Sequence, residues 1–187
     1  FHVVYQKISQ FIAVELSAIY HDVIKDRLYT DPANSNRRRS TQTALHRLVT
    51  GLCQMLAPIL AFTADEAWEF VPGKTEESVH HSQFEVNDFK LSESETSAWQ
   101  ELFMLRNAVL PELEKARRSK LIGKSLDAKV VLPIGKSEMF KVVEKYIPDL
   151  RELLNVSGLS VVNHIEDSSG ADAVMGAPRI SKADGQK

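Results

Sequence analysis

The chain contains a single cysteine, Cys53, among its 187 residues. No intramolecular disulfide can form, and a reducing, cytoplasmic setting fits that usage. Cys53 lies inside the apolar run "LVTGLCQMLAPIL", where a small buried side chain is a simpler reading than a reactive thiol. No stretch reaches the roughly 18 apolar residues that a membrane-spanning helix needs, and no secretory leader is visible. The sequence has no Gly-rich phosphate loop, no nucleophile elbow and no His/Cys spacing of the metal-binding kind. Among its six histidines only His80 and His81 adjoin, and sequence neighbours rarely chelate one metal without further ligands. The expectation is a chain with no catalytic residues, no metal and no cofactor of its own. Charge of one sign is also lacking, since the formal net charge is −2. Nucleic-acid binding therefore has to be read from local distribution, not from the total.

What is present is a globular composition, 43% hydrophobic and 26% charged. A chain of this length can bury a core without staples, and a monomer is expected. Residues 1 to about 29 read as one long amphipathic helix, with Ile8, Ile12, Leu16, Ile19 and Val23 on one stripe. "TDPANSN" is a turn by its Pro, Asn and Ser. A second helix runs from about Arg37 to Ala57 with Leu45, Leu48, Leu52, Leu56 and Ile59 as its apolar stripe, and Pro58 ends or kinks it. "FTADEAWEF" restarts a helix, with Thr63 and Glu66 in capping-box spacing and Asp65 in the favourable first turn. That capping role accounts for the adjacent carboxylates of Asp65 and Glu66 without a catalytic one.

Residues 73 to about 92 read as an irregular connection with a short extended piece. A further helix follows, with Ser92 and Glu95 as a capping box and Trp99, Leu102, Arg106, Val109 and Leu113 on one face. Pro111 predicts a kink in it and Gly123 suits its stop. Beyond it, "SLDAKVVLP" alternates as a strand. Residues 137 to about 154 are helical with an interruption at Pro148, "NVSGLSVVN" is a second strand and "PRISKA" a third. From Glu166 the tail is rich in Gly, Ala, Ser and Asp and reads as flexible. The predicted class is mainly α: a helical bundle over 1–122, followed by a small α/β junction subdomain over 123–187.

Charge is unevenly placed. Between Val23 and Arg47 stand six basic residues, Lys25, Arg27, Arg37, Arg38, Arg39 and Arg47, against two acids, Asp26 and Asp31. Between Arg106 and Lys124 stand six more, Arg106, Lys115, Arg117, Arg118, Lys120 and Lys124, against Glu112 and Glu114. The stretch from Glu76 to Glu101 holds seven acids and one lysine, Lys90. Each basic patch could hold phosphates; salt-bridged helix surface is the plainer account. Three arginines at a helix start oppose the macrodipole, which already carries partial positive charge there. That placement calls for an external or local anion. Trp68 and Trp99 could stack on unpaired bases, although both lie on apolar faces where core packing is the simpler reading.

The segments "ELSAIYHDVIKDRLYTD" and "RRRSTQTALHRLVTGLCQMLAPILAFTADEAW" resemble the anticodon-binding helical domain of the isoleucyl-tRNA synthetase family, of class Ia and bacterial type. "LAPILAFTADEAW" is shared across the class, including valyl enzymes, whereas "KDRLY" with "RRSTQT" points to isoleucine. "ARRSKLIGKSLDAKVVL" resembles the family's junction after the bundle. "ISKADGQK" resembles the strand leading to a zinc-binding Cys-x-x-Cys-Trp module in many bacterial members. The family's ATP-site signatures, His-Ile-Gly-His and Lys-Met-Ser-Lys-Ser, are absent. The chain also starts in mid-pattern without Met and reads as an excised fragment.

The resemblance implies a tRNA-binding piece of an ATP-dependent isoleucine–tRNA ligase. Its partners would be the isoleucine tRNA and the catalytic and editing domains of the longer protein. ATP, magnesium and zinc belong to that longer protein. Candidate tRNA contacts are Lys25, Arg27, Arg37, Arg38, Arg39, Arg47, Arg117, Arg118, Lys120 and Lys124, with Trp68 as a base platform. At least one of Arg37 to Arg39 could instead pair with Asp22 or Asp26 and tie the first two helices together. The alternatives are the same module of a valyl enzyme, or a helical protein-interaction domain without RNA function.

Overall fold

The computed structural model describes residues 1–84, 90–134, 138–162 and 176–183. Helices dominate: α1 (His2–Gln10), α2 (His21–Tyr29), α3 (Asn36–Leu56), α4 (Ala61–Glu69), α5 (Glu93–Arg118), α6 (Glu138–Lys145) and α7 (Ile147–Leu154). Among the described residues three strands, β1 (Ala128–Pro133), β2 (Gly158–Val162) and β3 (Arg179–Lys182), form one small sheet. The predicted mainly α class with a small α/β part is the observed one. The chain divides into two compact units, Ile24–Lys90 and the pairing of Phe1–Val23 with Leu91–Lys187.

In the latter unit, the helical run from His2 continues without a break, but Phe11–Tyr20 is wound as π-helix. The N–H of His21 bonds the carbonyl of Leu16, five residues back. Wider turns shift the expected stripe: Leu16 is buried and Ile19 half-buried, while Ile12 is exposed. The core is built on α5. Leu102, Leu105, Val109 and Leu113 recur at helical spacing and are at most 1% exposed. They pack with Val130 and Leu132 of β1, Val143 of α6 and Leu150 of α7. Each such burial stabilises by about 1.5–3 kcal/mol. Ser92 and Glu95 form the predicted capping box, with Glu95 Oε2 accepting the Ser92 N–H at 3.0 Å. The helix is unbroken across Pro111.

Its end departs from expectation. α5 stops at Arg118, five residues short of Gly123. The N–H of Lys120 reaches the carbonyl of Arg117 and that of Leu121 the carbonyl of Ala116, a Schellman pattern. The left-handed position is held by Lys120, at φ 60°, where glycine is usual. Gly123 instead gives its N–H to Asp127 Oδ2 at 3.2 Å. The early stop brings Ile122 into the core and starts β1 at the buried Ala128. In the sheet, β1 is central, parallel to β2 and antiparallel to β3. The parallel pair needs a crossover, which α6 and α7 provide, and Pro148 sits in the first turn of α7, where its missing N–H is harmless. The reading of a flexible tail from Glu166 falls largely outside the described residues.

In the Ile24–Lys90 unit, Cys53 and Ala57 at the end of α3 pack with Ala64 and Trp68 of α4 and with Val71 and Val79. α3 ends one residue before the expected Ala57, two before Pro58. α4 begins at Ala61, so Thr63 lies inside the helix and makes no capping box with Glu66. The N-cap is Leu60, which has no side-chain acceptor. Asp65 is likewise outside the first turn and serves a different purpose: its Oδ1 accepts the Ser78 hydroxyl at 2.7 Å and the Val79 N–H at 3.0 Å. The connection after α4 is irregular, as expected. Among its described residues the one regular piece is a short 3-10 turn over Val79–His81, not an extended one.

Candidate nucleic-acid interface

The start of α3 answers why three arginines stand there. Ser35 is the N-cap and its hydroxyl accepts the Arg38 N–H at 3.2 Å. Arg37 closes its fork on Asp31, with Nε to Oδ2 at 2.8 Å and Nη2 to Oδ1 at 2.7 Å. Arg38 is half-buried and donates Nη1 to the Asp31 carbonyl at 2.9 Å. Asp31 thus supplies the local anion that the helix start lacks, and Arg37 chiefly holds the turn shut. The Arg37 hydrogen bonds hold the Asp31 carboxyl below its usual value, against some desolvation, with help from Ser35 and Arg27. Arg39 is different. It is exposed and makes no side-chain bond among the described residues. Lys25 and Arg47 are exposed and Arg27 half-buried.

The α5 patch is organised otherwise. Lys115 pairs with Glu112 at 2.5 Å and Arg117 with Glu114, each three residues apart on the same helix. Arg117 also reaches the Ser125 hydroxyl. Arg106 lies half-buried and caps the Leu153 carbonyl of α7 at 3.3 Å. Arg118, Lys120 and Lys124 are exposed. All of these except Arg106 cluster at or beyond a helix C-terminus, where the dipole favours cations.

Trp68 is not available to a base. It is 3% exposed, and its indole N–H donates to the Glu76 carbonyl at 2.9 Å. The apolar face on which it falls is core, so the base-platform expectation does not hold. Trp99 is half-buried against Phe103 and Tyr146, with ring centroids 6.3 and 6.4 Å away. His80 and His81 are exposed on the 3-10 turn. Among the described residues no three His, Cys, Asp or Glu side chains gather in a metal-binding group, and no helix is long and apolar enough to cross a membrane.

A groove that the sequence reading missed lies between α3 and the connection after α4. It has a volume of about 590 Å³, and His46, Arg47, Thr50, Gln54, Lys74 and His81 are among its lining residues. His46 Nε2 donates to the Pro72 carbonyl at 2.8 Å. The Gln54 amide donates to the Ser82 hydroxyl at 3.2 Å and the Gln83 carbonyl at 2.9 Å. These bonds, with the Asp65 anchor on Ser78, fix the outer wall. The signal in the sequence was a polar stripe: Arg39, Thr43, His46, Thr50 and Gln54 follow at spacings of four, three, four and four, opposite the leucines.

A helical unit with an exposed arginine and a polar groove on one helix face is suited to a polyanion bearing flat, polar-edged groups. The chain belongs to the family described as the anticodon-binding domain of tRNA ligase, whose sequence profile matches residues 1–132. Across its whole length it is 37% identical to an isoleucine–tRNA ligase of Syntrophotalea carbinolica. It is 39% identical to that of Fervidobacterium nodosum over 98% of the chain, and 43% identical to that of Dichelobacter nodosus over 86%. The chain spans about a fifth of the length of these curated relatives, 18–20%.

Proposed function

We propose that this chain grips the anticodon stem-loop of the isoleucine tRNA, as one module of an isoleucine–tRNA ligase that joins isoleucine to its tRNA using ATP. The observation that carries the reading is the family match over 1–132, together with the three relatives named above, each an isoleucine–tRNA ligase. The match reaches just past the proposed division between a binding bundle, 1–122, and a junction subdomain, 123–187. Anticodon bases are unpaired and can be splayed onto a protein surface, while neighbouring phosphates need cations. Arg39 is the leading phosphate ligand, since Arg37 is occupied by Asp31. Lys25, Arg27, Arg38, Arg47, Arg118, Lys120 and Lys124 are secondary candidates, and Arg117 ranks with Arg37. ATP, magnesium and zinc would act in other parts of a longer cytoplasmic, monomeric enzyme. This chain contributes recognition and no catalytic group.

The test is binding to an anticodon stem-loop RNA across about 50–200 mM salt. A linear fall of log affinity with log salt is expected. Flat or undetectable binding would reject the reading in favour of a protein-interaction domain. Charging of isoleucine against valine by the longer protein separates the isoleucyl from the valyl assignment. The chain alone should give no ATP–pyrophosphate exchange.

A further inference from the structure

We infer that the groove between α3 and the 71–83 connection receives one unstacked nucleotide of the bound RNA loop, an assignment that rests on the anticodon-binding reading. Its volume of about 590 Å³ falls in the range of small-ligand sites. Its lining suits a flat, polar-edged ring. The imidazoles of His46 and His81 line it and offer stacking faces. The carbonyl of Gln83 can only accept, so the Gln54 amide nitrogen must face it. Gln54 Oε1 is then the acceptor that this side chain can offer to an exocyclic amino group. Arg47 and Lys74 bring positive charge to the rim.

Two features bind the groove to the rest of the interface. Gly51 lies on its α3 side, and a Cβ added there would meet nothing within 4 Å. A ring can therefore approach the helix closely at that point. Arg39 lies on the same face of α3, seven residues before His46, or about 10 Å along the axis at 1.5 Å per residue. A strand holding a phosphate at Arg39 can thus deliver a base to the groove within a few nucleotides. The hydrogen bonds of His46, Gln54 and Asp65 to the opposite wall keep the cleft formed in the absence of RNA.

The decisive variant is Gly51→Leu. It fills the groove while raising helix propensity, so the melting temperature should hold or rise. Binding to an anticodon stem-loop should weaken about tenfold or more, the scale of losing one stacked base. A series of stem-loops, each abasic at one loop position, then locates the base. For one position Gly51→Leu should cause no further loss; for the others the loss should persist. Unchanged binding by Gly51→Leu, with Arg39→Ala still flattening the salt slope, overturns the groove and leaves the RNA reading standing. Failure of the unsubstituted chain to bind any stem-loop overturns both. If Gly51→Leu melts early, His81→Ala decides: it should weaken the full loop but not the same abasic one, and equal binding to both by wild type and variant overturns the proposal.

Discussion

The basic residues before and within α3 and those near the end of α5 are alike in number, six in each stretch, and each stretch has two acids. Their neighbours make them different. On α5, Lys115 and Arg117 meet glutamates one turn back, Arg106 is taken up by the Leu153 carbonyl, and Arg118, Lys120 and Lys124 sit at or beyond the C-terminus that the helix dipole makes favourable for cations. Nothing about that patch demands an outside anion. On α3 the arginines oppose the dipole, and the fold compensates with one residue, Asp31, which holds Arg37 by its carboxylate and Arg38 by its carbonyl. Arg39 is left facing solvent above a polar groove. Equal charge counts therefore conceal one surface explained by its own helix and one in which an arginine at the helix start, Arg39, has no side-chain partner among the described residues.

The largest effect that would sharpen this contrast lies beneath the groove. Trp68→Ala should destabilise the Ile24–Lys90 unit by about 3–5 kcal/mol, as for other buried aromatics, read as a fall in melting temperature. A base platform would behave in the opposite way, with an unchanged melt and weaker RNA binding.

Next in size is the direct comparison of the two patches. Arg39→Ala should lower the log–log salt slope of RNA binding by roughly 0.7–0.9, one phosphate contact, with no change in melting. Arg118→Ala, a secondary candidate, should lower the slope by less than Arg39→Ala and leave the melt unchanged. Arg38→Ala should instead melt early, because its half-buried guanidinium is tied to Asp31. An equal loss of slope at Arg39 and Arg118 would dissolve the distinction between the patches.

Much of this frame was legible in the sequence because it rests on local rules. Pro58 cannot continue α3, Ser92 and Glu95 are three residues apart, and Pro148 suits a helix start. What the sequence concealed was decided by partners distant in the chain. Asp65 looks like a first-turn acid, yet its partners are Ser78 and Val79, thirteen and fourteen residues on. Gly123 looks like the stop of α5, yet the helix ends at Arg118 with Lys120 as its left-handed cap, which lets Ile122 and Ala128 be buried. The groove was invisible because half of it comes from an irregular connection with no periodicity. Only its α3 half, the stripe from Arg39 to Gln54, left a pattern.

Acid should separate the two units by a smaller margin. Among the described residues, hydrogen bonds lower three carboxyls below their usual values: Asp31 chiefly by Arg37, Asp65 by Ser78 and Val79, and Glu95 by Ser92. A carboxyl that is more acidic folded than unfolded contributes stability that is full above its unfolded pKa. That contribution is lost as pH falls through the lower folded value. The unfolded references are 3.8 for the aspartates and 4.5 for the glutamate. Two of the three groups belong to the Ile24–Lys90 unit. Melting temperature should therefore fall below about pH 4.5, and Asp65→Asn should flatten that limb more than Glu112→Gln, whose acid is merely paired on a helix surface. Identical acid limbs for the two variants would show that the Asp65 anchor carries no weight.

The smallest effect concerns the one feature of the α5 patch that its own helix does not explain. Lys120 occupies the left-handed region at φ 60°, which costs an L-residue about 1–2 kcal/mol relative to glycine. Glycine there would relieve that strain but give the unfolded chain more freedom, about 0.4–1 kcal/mol. The net gain from Lys120→Gly is therefore roughly 0–1.6 kcal/mol, with a midpoint of about 0.8, a rise in melting temperature of roughly 2–3 °C at that midpoint for a chain of this size. If the lysine is only a cap in an unfavourable conformation, stability rises and the RNA salt slope stays put. If the fold tolerates the strain because the ammonium meets a phosphate, stability still rises but the slope falls by roughly 0.7–0.9. The first outcome keeps the α5 patch a solvated helix end. The second would make Lys120 a counterpart of Arg39, and the α5 patch would have to be read as an RNA contact in its own right.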